Sequence, residues 1–256
     1  MLRVFADGKL FGESYGSDPP WVLALHGWGR DHRDFNGVLS PIEPLYPNAV
    51  DAIAIDLPGF GATPPPTYAW DTSTYAECLE PLLEEMPEKI LLIGHSFGGR
   101  VAVRLAAKAP ERFRALILSG APLARISKPA KPAVTYRVIK FLASVGLLPN
   151  SSLEAARTRY GSMDYRMADG LMRSILVGVL QESYEDDLKA LSLPIELVWG
   201  SDDREVPLSV ATALQSTLGN VTLTICEGAG HLTPLDAPAC LREVIERHRS
   251  INIGEK

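Results

Sequence analysis

Three short stretches of this 256-residue chain hold side chains that together could move an acyl group. Ser96 lies in Gly94-His95-Ser96-Phe97-Gly98, His231 closes Gly228-Ala229-Gly230-His231, and Asp202 and Asp203 sit side by side in VWGSDDREVP. A serine hydroxyl is a weak nucleophile. It attacks a carbonyl only when an imidazole takes its proton and a carboxylate holds that imidazole in the right tautomer. Five histidines compete for the part of base: His26, His32, His95, His231 and His248. His231 is expected to fill it, because a glycine-rich loop after an apolar run can carry an imidazole over a sheet edge. His95 flanks the serine, so its side chain is expected to point away from that of Ser96, and His248 falls on a charged terminal helix. Either aspartate could be the orienting acid, and Asp202 also suits a simple turn.

The corner around Ser96 is the most informative of these stretches. In LLIGHSFGGR an apolar run stops at the serine and a helical pattern begins at once, the strand–turn–helix context that gives weight to an otherwise weak GxSxG. A serine there must adopt strained dihedrals, and glycines two positions to either side leave room for the crossing backbone. The helix that starts at the corner points its positive end at Ser96 and favours negative charge developing nearby. Its first amide, Phe97 N–H, is therefore an expected oxyanion donor.

Such a corner needs a sheet edge to stand on. Continuous apolar runs occur at 21–27, 51–59, 89–96, 114–122, 194–203 and 220–231, without the alternation of a half-exposed strand. They predict parallel strands buried on both faces. Helical patterns at 72–86, 98–108, 207–218 and 237–248 lie between or after them. Strand and helix in alternation predict an α/β fold with a mostly parallel, doubly wound sheet, whose ligands bind beyond the carboxyl ends of the strands. The opening LRVFADGKLFGESYG alternates around Asp7-Gly8 and predicts an antiparallel hairpin with a two-residue turn. Only helical patterns appear across 123–187, so this interval is expected to form a helical cap over a core made of 1–122 and 188–256.

Composition removes several function classes. Hydrophobic residues make up 46% and charged residues 22%, as in an ordinary packed domain, and the formal net charge of −6 argues against a nucleic-acid backbone as partner. The basic run Arg125, Lys128, Lys131, Arg137 and Lys140 reads as a solvated face or a cleft rim. No apolar stretch reaches the roughly 18 residues of a membrane span, so a cytoplasmic location is expected. Cys78, Cys226 and Cys240 are widely spaced and odd in number, which predicts reduced core thiols and neither a disulfide framework nor a zinc site.

The chain order Ser, Asp, His, together with His26-Gly27-Trp28-Gly29 after the first parallel strand and Asp56-Leu57-Pro58-Gly59-Phe60-Gly61, resembles the α/β-hydrolase superfamily over nearly the whole chain outside the cap. The resemblance implies that Gly200, Asp203, Val206 and Pro207 match the family's GxxDxxVP, which favours Asp203 as the acid. It also implies Trp28 N–H as a second oxyanion donor, a loop-bracing or substrate-side role for His26 and Gly27, and a structural turn at Asp56. A serine nucleophile departs from the dehalogenase and epoxide-hydrolase branches, and GHSFGG differs from the GGSWG of proline iminopeptidases. Leu232 stands where carbon–carbon bond hydrolases carry tryptophan.

Hydrolysis of a carboxylic ester, or of a lactone or thioester, through an acyl-enzyme, with neither metal nor organic cofactor, is the expected chemistry, with carbon–carbon bond hydrolysis on the same fold as an alternative. Its partner would be a small or medium apolar ester-like molecule, and the chain is expected to act as a monomer or homodimer. Candidate pocket residues are His26, Gly27, Arg100 and Leu232, with Tyr136, Phe141, Tyr165 and Met172 from the cap. Arg100 also matches an arginine that menaquinone-pathway synthases of this fold use to hold a carboxylate, so pyruvate elimination is a rival. A triad-bearing ligand receptor is another.

Overall fold

A computed structural model describes residues 2–124, 149, 152 and 163–249. Eight strands form one sheet in the order β1-β2-β4-β3-β5-β6-β7-β8. They are β1 (Leu2–Phe5), β2 (Leu10–Tyr15), β3 (Val22–Leu25), β4 (Ala52–Asp56), β5 (Ile90–His95), β6 (Phe113–Ser119), β7 (Ile195–Gly200) and β8 (Val221–Cys226). The strands from β3 onward pair in parallel, while β1 and β2 add an antiparallel edge. Strands β3, β4, β5 and β7 are buried at every residue, which is why they read as unbroken apolar runs. Strand β8 closes the far edge and is mostly half-exposed.

Each inner strand contributes alternately to two cores. Leu23, Leu25, Ile53, Ile55 and Leu92 pack beneath the helices Thr72–Leu83, Phe97–Lys108 and Ser209–Thr217. Val22, Ala24, Ala52, Ala54, Leu91 and Ile93 pack against the turn Asn36–Leu39 and the helix Pro238–Arg247. The helix Thr72–Leu83 shows why the sequence coils where it does. Asp71 accepts from Thr74 N at 2.8 Å to cap the first turn, and Tyr75, Ala76, Leu79, Leu82 and Leu83 make one buried face. Strand β3 has β4 on one side and β5 on the other, so the order reverses there and opens a crevice at the carboxyl ends of β3 and β5.

Two expectations are corrected. The hairpin turns through four residues, since Phe5 pairs with Leu10. Ala6 is buried and its N–H donates to Glu85 Oε1 at 2.6 Å, which anchors the reversal one residue earlier than Asp7-Gly8 would place it. Cys226 and Cys240 are not reduced thiols: they form a disulfide with Cα atoms 6.0 Å apart, because the end of β8 and the first turn of the last helix meet in one core cluster. Cys78 stays free and partly buried.

Between β6 and β7 the described residues hold helices only, at Met163–Met167, Gly170–Val179 and Glu185–Ala190. Arg104, on the helix that follows Ser96, pairs with Asp187 and Glu182 and stacks on Tyr184 at 4.8 Å, tying this segment to the core. Tyr136 and Phe141 lie outside the described residues. Among the described residues, no helix is long and apolar enough to cross a membrane.

Candidate active site

Ser96 follows β5 directly and adopts φ 49°, ψ −108°, a conformation that costs a non-glycine residue on the order of 1–3 kcal/mol and persists only where the surroundings enforce it. They do so here through contact. Ser96 N donates to Ser119 O at 2.8 Å, and Gly98 N donates to His26 O at 3.0 Å. A Cβ on Gly98 would overlap the carbonyl oxygens of Leu25 and His26, so the elbow helix can pass the end of β3 only with glycine there. The serine side chain is thereby held at the sheet's edge.

His231 arrives from the loop after β8. Its Nε2 lies 3.1 Å from Ser96 Oγ and its Nδ1 lies 2.8 Å from Asp203 Oδ2. Asp203 is buried, and its other oxygen accepts from Glu205 N at 2.9 Å and Val206 N at 2.8 Å, which fixes the carboxylate's orientation. Asp202 is exposed; its backbone N–H donates to Ala229 O at 2.9 Å and so joins the acid loop to the histidine loop. Of the two aspartates, only Asp203 reaches the imidazole. Burial disfavours the charged ring of His231, but the hydrogen bond and charge of Asp203, with Glu205 and Asp164 beyond it, outweigh that and raise its pKa above the ordinary imidazole value.

Trp28 and Phe97 sit on either side of the serine, on the loop after β3 and at the start of the elbow helix. Among the described residues neither amide N–H has a hydrogen-bond partner, so both remain able to donate to an oxyanion. The indole of Trp28 packs edge-on to Phe60 (4.9 Å between centroids) and Phe97 (5.1 Å) while lining the cavity. His26 is fully buried behind the loop. It donates from Nδ1 to Gly27 O at 2.7 Å and accepts at Nε2 from Leu57 N at 2.9 Å, so it braces the loop and does not line the cavity. Burial pushes its pKa below the usual value.

A cavity of about 630 Å³ opens over Ser96, walled by Gly27, Trp28, Phe97, Arg100, Leu232 and Asp164 among others. Arg100 is buried, and its guanidinium donates to Val179 O at 2.6 Å. Tyr165 is buried with Ala168 and Leu176 against Trp28, one layer behind the wall. Met172 packs against the core, where its thioether end would collide with a Cβ on Gly59, so it is not part of the cavity wall. Spacing along the chain carries no signal for these contacts, and none for His95, whose ring lies 5.2 Å from that of His231 and lines the cavity.

Asp31, His32 and Asp56 bring potential metal-ligand atoms within 4.8 Å of one another. Asp56 already accepts from His32 N (2.8 Å), His32 Nδ1 (2.7 Å) and Ala62 N (2.8 Å), and Asp31 binds Arg33, so the cluster closes the turn after β4.

The curated relatives include the uncharacterized hydrolase YugF of Bacillus subtilis, 26% identical over 88% of each chain. The pimeloyl-[acyl-carrier protein] methyl ester esterase of Legionella pneumophila is 26% identical over 86% of this chain and 90% of that one. Among solved structures, a thermophilic esterase from Thermogutta terrifontis shares the fold with TM-score 0.70 at 22% identity, covering 98% of both chains. The 2-hydroxy-6-oxo-6-phenylhexa-2,4-dienoate hydrolase of Rhodococcus sp. strain RHA1 does so with TM-score 0.67 at 24% identity, again over 98% of both. The sequence matches the alpha/beta hydrolase family over residues 22–241, and with the sheet order and the elbow described above, the chain belongs to that family.

Proposed function

We propose that the protein is a serine hydrolase that cleaves a carboxylic ester of a small or medium apolar acyl group through an acyl-enzyme. One observation carries this reading: Ser96 Oγ, His231 and Asp203 form a continuous hydrogen-bonded line, at 3.1 and 2.8 Å, that ends in a cavity. His231 Nε2 takes the Ser96 proton as Oγ attacks the carbonyl, and Asp203 keeps the Nδ1–H tautomer and stabilises the imidazolium. The amides of Trp28 and Phe97 receive the oxyanion. The imidazolium gives its proton to the departing alkoxide, and water then releases the acid. Of the interval 123–187, the described residues 163–187 act as a cap, contributing Asp164, Leu176, Val179 and Leu180 to the cavity wall. An ester is the substrate class favoured because esterases stand among the relatives on both the sequence and the structure side.

The test is pre-steady-state hydrolysis of p-nitrophenyl esters of increasing chain length, wild type beside Ser96→Ala, with mass spectrometry of the trapped protein. A burst, an acyl adduct on Ser96 and turnover reduced by about 10⁴-fold in Ser96→Ala are expected. A folded wild type without adduct or turnover overturns the reading. One observation favours elimination chemistry as the second reading: the buried Arg100 forms part of the cavity wall, where it could face a substrate carboxylate. Pyruvate release from a carboxylate-bearing substrate, without an acyl adduct, would establish it instead.

A further inference from the structure

Two strands lie between the serine and its base. Ser96 stands at the end of β5 and His231 on the loop after β8, so the imidazole reaches the hydroxyl only by passing over the ends of β7 and β6. Gly120 is the first residue beyond β6. A Cβ built on it would lie 3.1 Å from His231 Cε1, 3.2 Å from His231 Nδ1 and 3.4 Å from the His231 carbonyl oxygen. The ring edge that reaches Asp203 thus lies where any side chain at position 120 would begin.

The backbone at Gly120 is clamped from both sides. Ser119 before it is fully buried, and its carbonyl accepts from Ser96 N at 2.8 Å and from His95 Nδ1 at 3.1 Å. Ala121 after it is fully buried against the elbow helix, where a Cβ on Gly99 would fall 2.5 Å from the Ala121 methyl group. Residues 119–121 are therefore fixed to the serine's own strand and helix. The His231 side chain is placed instead by its hydrogen bonds to Asp203 and Ser96. A methyl group at position 120 must move the imidazole, by a few tenths of an ångström, and not the backbone beneath it.

We propose that Gly120 is a positioning residue for acyl transfer: its missing side chain is the clearance that lets His231 reach Ser96 Oγ and Asp203 Oδ2 at once. This rests on the acyl-enzyme reading above. Attraction draws the ring towards both partners, and the bare Cα lets it arrive. His231 takes a proton from Ser96 in acylation and from water in deacylation, so a displaced ring slows both steps alike. Asp203, Glu205, Asp164 and His95 are the titratable groups that face the ring. Against burial, the Asp203 hydrogen bond does most to keep the imidazole's pKa above its ordinary value, so a ring pushed at its Nδ1 edge also gives up part of that increase.

The experiment compares wild type, Gly120→Ala and Gly120→Asn with p-nitrophenyl butyrate in stopped flow. Gly120 has φ +55°, a region that alanine enters at a cost and asparagine tolerates, whereas the added Cβ is common to both. In both variants kcat and kcat/KM are expected to fall together by about tenfold or more, with KM within about threefold. The burst amplitude, which counts working enzyme, should stay at the wild-type value, and the acid limb of the kcat/KM profile should move to lower pH. A smaller folded fraction alone would lower the amplitude and leave the limb in place. Asparagine should give the more stable protein of the two and no better a catalyst. Wild-type kcat and acid limb in folded Gly120→Asn, or losses that follow stability and not the added Cβ, overturn the proposal. Should Gly120→Ala not fold, Gly120→Asn decides by the same readouts. A wild type with no burst and no adduct on Ser96 brings down the acyl-enzyme reading and this proposal with it, whereas a burst and adduct with undiminished turnover in Gly120→Asn bring down only the role of Gly120.

Discussion

The serine elbow and the acid and histidine loops face each other across the site but are held by different physics. Ser96 stands at the end of an inner strand, where backbone contacts with the first parallel strand and Ser119 leave it one conformation. Asp203 and His231 stand on loops after the last two strands, one of them the sheet's edge, and are held by side-chain hydrogen bonds and a covalent tether. Ser96 is positioned by exclusion, which tolerates no adjustment. His231 is positioned by attraction, which can be tuned.

The sharpest break of that comparison is on the attraction side. Asp203→Asn keeps the shape but removes the charge and the tautomer control, and is expected to lower kcat/KM for a p-nitrophenyl ester by about 10⁴-fold with the far-UV spectrum unchanged. Asp202→Asn, one residue away and exposed, should stay within a few-fold of wild type. The reverse outcome would show that the loop rearranges and that Asp202 is the acid.

On the exclusion side the effect is on folding. Gly98→Ala must push a methyl group into the Leu25 and His26 carbonyls and is expected to cost about 3 kcal/mol or more in urea unfolding. Gly228→Ala in the histidine loop is the control: its φ is +72° but nothing lies within 4 Å of the added Cβ, so only the left-handed backbone penalty of about 1 kcal/mol remains. Equal costs would mean that conformation, and not contact, holds the elbow.

The tether gives the next effect. The Cys226–Cys240 bond spans 14 positions and encloses His231, so its loss by Cys226→Ser is expected to lower stability by roughly 3 kcal/mol through the unfolded chain's regained freedom. Denatured protein should show one reactive thiol before reduction, from Cys78, and three after. Three thiols before reduction would mean that the histidine loop is held by hydrogen bonds alone.

What could be read before any coordinates divides along the same line. The buried strands, the elbow and the strand ends that bring Ser96 and His231 together were legible because each is a local pattern: an unbroken apolar run, a glycine spacing, a residue at a strand end. Between Asp202 and Asp203 the local pattern left the choice open, and only the family resemblance favoured the one that contacts His231. The disulfide was not, because Cys226 and Cys240 meet only after the last helix folds back onto the sheet. Nor was the burial of Arg100, which depends on the carbonyl of Val179 brought over from the helical segment between β6 and β7. His95 was set aside on strand alternation, a rule that speaks of neighbours along one chain and says nothing of a ring arriving from another loop.

The smallest effect probes how far attraction can be tuned. Glu205 Oε2 lies 3.8 Å from His231 Nε2 and is one of the carboxylates that raise the imidazole's pKa, after Asp203. In the proposed mechanism turnover needs neutral His231, so activity is expected to rise with pH as the ring loses its proton, with the wild-type midpoint above the usual value of about 6.5. Glu205→Gln removes one source of that increase and is expected to move the acid limb of the kcat/KM profile to lower pH with the plateau nearly unchanged. Because the Glu205 side chain is 67% exposed, added salt should shrink the difference between the two proteins. A limb that moves upward, or does not move at low salt, would mean that Asp203 alone sets the base and that the open side of the histidine loop has no electrostatic part in it.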